Sequence, residues 1–365
     1  MEETNMAHKI LVINPGSTST KIAVYEDTKQ VFQKNVEHDA AKIAEFKDIP
    51  SQAPYRTEYI LEALKDENID LKSIEIIMCR GGLVVNPPIS NGAYEVNDDL
   101  YKALGDEELT SPHGSLLGGL IGKNLADKVG IKAYIYDAVT SGEFPEIAKI
   151  CGFTDFNRSS AAHVLNGRAQ AIRFAKAQGK KMEDMNIIVC HMGGGCSVMA
   201  FKKGTLIDTI GDDEFHMSAE RSGGAQLLKF IKLCFSGKYS EGDVKKLVRG
   251  KGGLMAHLGT SNGKEIEERI EKGDAKAKLV FEAMGYSLCK TIGALMAVMG
   301  EKTDAIILTG GMAYAKTITD FMVSQLSCLA PVEKMPGESE MDALAEGGVR
   351  LLNKEESFKT YHLPK

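Results

Sequence analysis

A strand, a tight loop of glycine and small hydroxyls, and a second strand occur twice in this chain. Residues 10–14 (Ile-Leu-Val-Ile-Asn) run into Pro15-Gly16-Ser17-Thr18-Ser19-Thr20 and on into Lys21-Ile22-Ala23-Val24-Tyr25. Residues 187–191 (Ile-Ile-Val-Cys-His) run into Met192-Gly193-Gly194-Gly195-Cys196 and then Ser197-Val198-Met199-Ala200-Phe201. Apolar runs broken by such loops are hairpin signals, and a backbone approaches an anion closely only where side chains are small. Two copies predict two similar domains serving one polyanionic ligand, with nucleotide phosphates the first candidate.

Length and charge agree with that reading. A chain of 365 residues exceeds one typical core and predicts two domains. A net charge of −6 leaves no electrostatic footprint for nucleic acid or an anionic membrane, so any phosphate site must be local. The longest apolar run, residues 285–300, is interrupted by Lys290, falls short of the roughly 20 residues of a membrane span and predicts a core helix. Residues 1–5 are acidic and lack the apolar stretch of a signal peptide. Seven scattered cysteines fit a reducing compartment, so a cytoplasmic protein is expected. The eight histidines form no zinc-spaced cluster, and Cys190 and Cys196 sit in apolar runs as core residues.

The order of elements repeats as well. After the first hairpin come a third strand (30–37), a helix (54–65), a buried strand (74–79) ending at Arg80-Gly81-Gly82, and a loop (86–92). A helix opened by Ser111-Pro112 and running towards Lys128 follows, then a strand (132–136) ending at Asp137 and a long helix (159–177). The second hairpin is followed by a strand (205–210), helices near 225–235 and 243–248, and long helices at 264–271 and 275–299. A strand (305–309), a turn at Gly310-Gly311, a helix (313–326) and an amphipathic helix (339–352) close the chain. Strand triplets followed by alternating helices and strands, twice, predict a duplicated α/β fold.

The first loop is not a Walker loop, which needs Gly immediately before its Lys-Ser/Thr; here Thr20 precedes Lys21. It is not a dinucleotide fingerprint either, since the second glycine loop leads into a strand. In a strand–loop–strand the donors are backbone N–H groups, the Ser17 and Ser19 hydroxyls, and Asn14 or Lys21. The alternative is a plain hairpin with a Ser/Thr-rich turn; the second copy and the later Thr309-Gly310-Gly311 favour phosphate binding.

At these residues the chain resembles the acetate kinase/butyrate kinase family of the actin–sugar kinase–Hsp70 fold. The butyrate kinase branch carries Asn-Pro-Gly-Ser-Thr-Ser-Thr-Lys where this chain has it, at residues 14–21. The likeness continues through Arg80-Gly81-Gly82, His191-Met192-Gly193-Gly194-Gly195, Glu220-Arg221-Ser222-Gly223 and residues 308–314. It ends at Pro336-Gly337-Glu338 and residues 343–347, so it spans nearly the whole chain. The resemblance implies two ribonuclease H-like (actin-like ATPase) domains with an interdomain active-site cleft. The N-terminal domain would be residues 1–158, with a C-terminal helix in 345–365 packing back on it; the nucleotide-binding domain would be 159–344. It also implies ATP-dependent phosphorylation of a short-chain carboxylate, butyrate first, to an acyl phosphate, with ATP/ADP and Mg²⁺ and a homodimer or larger homo-oligomer.

Such chemistry brings a carboxylate to an anionic γ-phosphate and stabilises charge in transit, which suits permanently charged, two-pronged guanidinium groups. By resemblance Arg80 and Arg221 are the clamps, and Asp137, His113 and His163 complete the catalytic set. Asn14, Ser17, Ser19, Lys21, His191, Gly193, Gly194, Gly195, Gly310 and Gly311 would bind the nucleotide. By resemblance Asn14, Asp137 and Glu340, with Glu338 the alternative to Glu340, would hold the metal; Mg²⁺ needs only one or two protein oxygens beside phosphate and water.

The chain departs from the butyrate kinase pattern at Leu116, at residues 137–141, at Ala161-Ala162 before His163, and at residues 212–219. By resemblance these positions surround the acyl pocket and the cleft wall. The acid therefore stays open between butyrate and a branched or other short acid, and a non-catalytic nucleotide-binding member of the fold is the second reading. A serine hydrolase is a remote rival, because Gly259-Thr260-Ser261-Asn262-Gly263 formally fits a nucleophile elbow. Asn262 with Glu265 three residues later reads instead as a helix N-cap.

Overall fold

The computed structural model describes residues 7–84, 86–111 and 113–364. They form two compact units. One contains the described residues of Met1–Gly142 and Ser339–Lys365; the other is Glu143–Glu338.

In the first unit β1 (Lys9–Pro15), β2 (Ser19–Glu26) and β3 (Lys29–Glu37) form an antiparallel meander. Ile10, Leu11, Val12 and Ile13 are all fully buried, the continuous apolar run of a strand covered on both faces. Each such side chain contributes about 1.5–3 kcal/mol by burial. β4 (Ile76–Arg80) lies parallel to β1, β6 (Lys132–Tyr136) parallel to β4, and β5 (Ala93–Glu95) antiparallel to β6. The short strand Phe358–Lys359 closes the edge, giving the order Phe358–Lys359, β5, β6, β4, β1, β2, β3.

Helices cover both faces. Glu340–Leu352 packs on β1 and β4, and Leu116–Val129 on β4 and β6. Leu116–Val129 comes close because it carries glycines: a Cβ at Gly118 would stand 2.5 Å from the Arg80 carbonyl oxygen, and one at Gly122 would stand 2.3 Å from Cys79 Sγ.

The second unit repeats the plan. β7 (Asn186–Met192) and β8 (Cys196–Lys202) form the hairpin, and β9 (Thr205–Gly211) adds to β8. β10 (Ala305–Gly310) lies parallel to β7, and β11 (Val332–Pro336) parallel to β10, giving the order β11, β10, β7, β8, β9. The helix Ala275–Met299 is long and apolar enough by length and composition to cross a membrane. Its Phe281, Met284, Leu288 and Ile292 are fully buried in this unit's core, the role expected of residues 285–300.

Several elements begin later than the sequence pattern predicts. Pro112 lies outside the described residues, as do residues 1–6. The helix expected from Ser111 starts at Leu116, because His113 Nδ1 takes the Ser115 N–H at 3.2 Å and ties residues 113–115 into a turn. The helix expected from 159 starts at Val164: His163 has ψ 57° and directs its N–H to Ser197 Oγ at 3.3 Å. A 3-10 turn, Gly311–Tyr314, separates β10 from the helix Lys316–Leu326. The first unit ends at Gly142, ahead of the expected 158, since Arg158 donates to Asp208 at 3.1 Å and to Glu214 at 2.7 Å in the second unit. It resumes at Ser339, ahead of the expected 345, with the whole of Glu340–Leu352.

Candidate active site

In the first unit the chemistry-bearing residues gather at the carboxyl ends of parallel strands, where open α/β sheets bind ligands. Asn14 lies one residue before the end of β1, Arg80 ends β4 and Asp137 follows β6. Asn14 Nδ2 donates to Glu340 Oε2 at 2.7 Å, and Arg80 Nη1 donates to the same oxygen at 2.6 Å. Glu340 is the first residue of its helix, where the dipole favours an acid.

The hairpin loop beside them is exposed at Gly16, Ser17 and Thr18, and Lys21 stands opposite Asn14 in the ladder. Residues opposite one another in a ladder share a face, so Lys21 flanks this cluster; Ser19 is half-buried at the start of β2. Gly114 packs against the Gly16 carbonyl, where a Cβ would come within 3.2 Å. That brings His113 close enough to feel Arg80. Although its edge is exposed, its pKa is lowered, first by desolvation and then by the Arg80 charge.

Asp137 is buried with φ 42°, a conformation rare for a non-glycine residue. A reciprocal pair holds it there: its N–H donates to the Gly92 carbonyl at 3.1 Å, and its Oδ1 accepts the Gly92 N–H at 2.7 Å. Gly81 packs on Ala138, where a Cβ would lie 2.6 Å away. Arg80 and Asp137 therefore share one rigid corner.

The second unit gathers another set. The rings of His163 and His191 stack 4.0 Å apart and 10° from parallel. His163 Nδ1 meets Ser197 Oγ at 2.8 Å, while His191 meets Asn166 through Nδ1 at 2.9 Å and Glu338 through Nε2 at 3.3 Å. Asn166 also donates to Thr309 Oγ1 at 3.3 Å, and its buried Oδ1 finds no donor among the described residues. Arg221 lies beside Glu220, 3.5 Å from its Oε2.

A cavity of about 620 Å³, within the size range of small-molecule sites, opens in this unit between Gly193-Gly194, Asn262-Gly263 and Gly311-Met312. A Cβ at Gly311 would meet nothing within 4 Å, whereas Gly310 has φ 87° and no room: a Cβ there would lie 2.4 Å from the Met192 carbonyl oxygen. Gly195 packs on Asp212, whose Oδ2 would lie 2.8 Å from a Cβ.

The hydrolase motif dissolves in this geometry. Gly259 caps the helix Gly253–Leu258 with φ 75°, Ser261 Oγ donates to Glu220 Oε1 at 3.0 Å, and Asn262 caps the helix Gly263–Glu271. Among the described residues a helix, not a strand, leads into the serine.

Comparison with known proteins agrees with this architecture. Residues 164–358 match the model of the Acetokinase family. Butyrate kinase 2 of Clostridium acetobutylicum is 43% identical over 358 residues, covering 98% of this chain and 100% of the relative. The chain belongs to the acetokinase family. Butyrate kinase 1 of the same organism is 41% identical over 356 residues, covering 97% of this chain and 99% of the relative. Among solved structures, acetate kinase from Porphyromonas gingivalis superposes with TM-score 0.73 at 19% identity, over 95% of this chain and 100% of that one. Acetate kinase from Entamoeba histolytica gives 0.75 at 17%, over 94% and 100%. These structures establish the fold: two duplicated actin-like units.

Residues 212–219, expected around the acyl pocket and the cleft wall, also support the second glycine loop. Asp212 Oδ2 accepts the Cys196 N–H at 2.8 Å, Ser218 Oγ donates to the Gly194 carbonyl at 2.7 Å, and His216 Nε2 lies 3.2 Å from the Cys196 carbonyl oxygen. Sequence reasoning marked residues 212–219 but not the role of Asp212 and Ser218 in holding the loop, and it missed Asn166 and the cavity wall at Asn262-Gly263. Asn166 alone had a signal, sitting three residues after His163 on one helix face.

Proposed function

We propose that the protein transfers the γ-phosphoryl group of ATP to a short-chain carboxylate, butyrate first, giving an acyl phosphate and ADP reversibly. The observation that carries this reading is the convergence of Asn14 and Arg80 on one Glu340 oxygen beside an exposed Gly-Ser-Thr loop. It joins anion donors, a permanent cation and a carboxylate at the strand ends of a nucleotide-binding fold.

In this reading the cavity of the second unit takes the adenosine, Gly193, Gly194, Gly310 and Gly311 pass close to it, and His191 donates to its phosphates. Arg80 and Arg221 clamp carboxylate and phosphoryl oxygens, stabilising the charge that spreads over the equatorial oxygens. Asp137, fixed by Gly92, orients the reacting oxygens. His113 is biased towards the neutral ring and offers a neutral hydrogen bond, and His163 adds a second donor. Asn14, Ser17, Ser19 and Lys21 serve the phosphoryl end.

Mg²⁺ fits this donor set. Glu340 supplies a carboxylate and Asn14 a side-chain amide beside it, the one or two hard oxygen donors that Mg²⁺ takes from protein when phosphate and water supply the rest. Glu340, Asn14 and Asp137 would hold it, and when bound it would neutralise negative charge on the nucleotide phosphates. We place the protein in the cytoplasm as a homodimer or larger homo-oligomer. Trapping the product with hydroxylamine, with ATP and Mg²⁺ and an acid series of acetate, propionate, butyrate, isobutyrate and isovalerate, tests the proposal. Acyl hydroxamate, greatest with butyrate, is expected. None with any acid would refute it.

A further inference from the structure

Beneath the first hairpin loop lies a guanidinium that no motif marks. Arg56, in the helix Ala53–Asp66, is 1% exposed. Its Nη1 donates to the carbonyls of Gly16 (2.9 Å) and Ser19 (3.2 Å) and to Thr20 Oγ1 (3.3 Å). Its Nη2 donates to the Ser17 carbonyl (2.5 Å) and to Gln52 Oε1 (2.8 Å). Every one of these acceptors is neutral, and among the described residues no carboxylate pairs with it. Burial pushes the group down to about 10, still a cation at neutral pH.

An unpaired buried charge is costly, and a structural staple would be cheaper with an acid beside it. The loop offers the compensation. In a trans peptide the C=O and the following N–H point in opposite directions. Drawing the Gly16 and Ser17 carbonyls inward therefore turns the N–H groups of Ser17 and Thr18 outward, where among the described residues neither finds a backbone acceptor. Successive outward N–H groups make an anion-binding concavity, and the guanidinium behind it makes the field there positive.

We propose that Arg56 is a positioning residue for phosphoryl transfer, aiming the Ser17 and Thr18 N–H groups at the transferring phosphate and backing them with an uncompensated positive charge. This rests on the reading that the loop at 14–21 serves the phosphoryl end of the nucleotide. Arg56 touches no substrate; it acts through the loop.

Gln52→Glu tests the charge without removing the hydrogen bonds, because it places a carboxylate of the same size against Nη2. On the full chain it should leave Tm equal or higher, leave ADP affinity within about threefold, and lower kcat about tenfold, the rate equivalent of a lost favourable charge. A purely structural Arg56 predicts the same Tm behaviour with undiminished kcat. Arg56→Lys, which keeps a cation but loses the two-pronged geometry, should lower kcat about a hundredfold, the scale of one misplaced transition-state donor.

A folded Gln52→Glu protein with kcat within about twofold of the parent would overturn the inference. So would its failure to fold, since a paired guanidinium should not destabilise. If the parent itself yields no acyl phosphate, the functional reading fails and this inference with it; an active parent matched by Gln52→Glu defeats this inference alone.

Discussion

The two hairpin loops share a topology and differ in what stands behind them. The loop of the first unit is held by a buried cation, Arg56, drawing on the Gly16, Ser17 and Ser19 carbonyls. The loop of the second unit is held by neutral donors on the Gly194 carbonyl, Ser218 Oγ at 2.7 Å and the Glu220 N–H at 3.0 Å, and by an acid, Asp212, on the Cys196 N–H. Duplication thus preserved the strand–loop–strand and changed its electrostatics. A cation-backed loop suits phosphoryl charge in motion. A loop backed by an acid suits shape recognition of a nucleotide whose charge is balanced elsewhere.

The largest expected effect separates turnover from binding. Arg80→Ala and Arg221→Ala should each lower kcat about a thousandfold, the range of a lost phosphoryl-clamping arginine, while ADP titration gives near-parental affinity. An active variant would refute its clamp role. Glycines sharpen the contrast next. Gly310→Ala should cost about 3 kcal/mol in denaturant unfolding, since it combines φ 87° with a Cβ 2.4 Å from a carbonyl oxygen. Gly16→Ala, whose Cβ would meet Ser19 at an ordinary 3.5 Å, should cost under about 1 kcal/mol.

Acid tests a feature common to both loops. His38, bonded through Nε2 to Thr20 Oγ1 at 2.9 Å, is pushed down to about 4 by burial and then by Arg56. His216, behind the second loop, is lowered chiefly by burial. A ring held neutral in the fold but protonated near 6.5 when unfolded stabilises fully above about pH 6.5 and progressively less as pH falls towards 4. His38 accounts for about 2–3 kcal/mol of that loss. A Tm series against pH should therefore slope downward through this window, and His38→Gln should flatten part of it. The smallest effect belongs to the metal: Glu340→Gln should raise the Mg²⁺ concentration for half-maximal rate about tenfold.

Much of this architecture was legible because its signals are local. Continuous apolar runs marked the core strands β1, β7 and β10, and the hairpins, the third strands and the helix Ala275–Met299 followed from periodicity. Edge strands were not legible: β5, β11 and Phe358–Lys359 are short or partly exposed and lack alternation. Helix starts at Leu116 and Val164 were set by side-chain bonds to His113 and Ser197, which no propensity encodes. Motifs pointed to Asn14, Arg80 and Asp137 at or just past strand ends and to Glu340 at a helix start, where the fold carries them. Arg56 was not, because an arginine inside an ordinary helical pattern looks like a solvated one until the loop folds over it.

The division of labour between the loops is tested most directly by calorimetric titration of ADP into two folded variants, Asn14→Ala and Gly194→Val. Asn14 belongs to the first hairpin, whereas Gly194 lines the cavity of the second unit with room for a Cβ 3.4 Å from Glu220. The account predicts ADP affinity within about threefold of the parent for Asn14→Ala and a loss of about thirtyfold or more for Gly194→Val. The reverse order of affinities would contradict it.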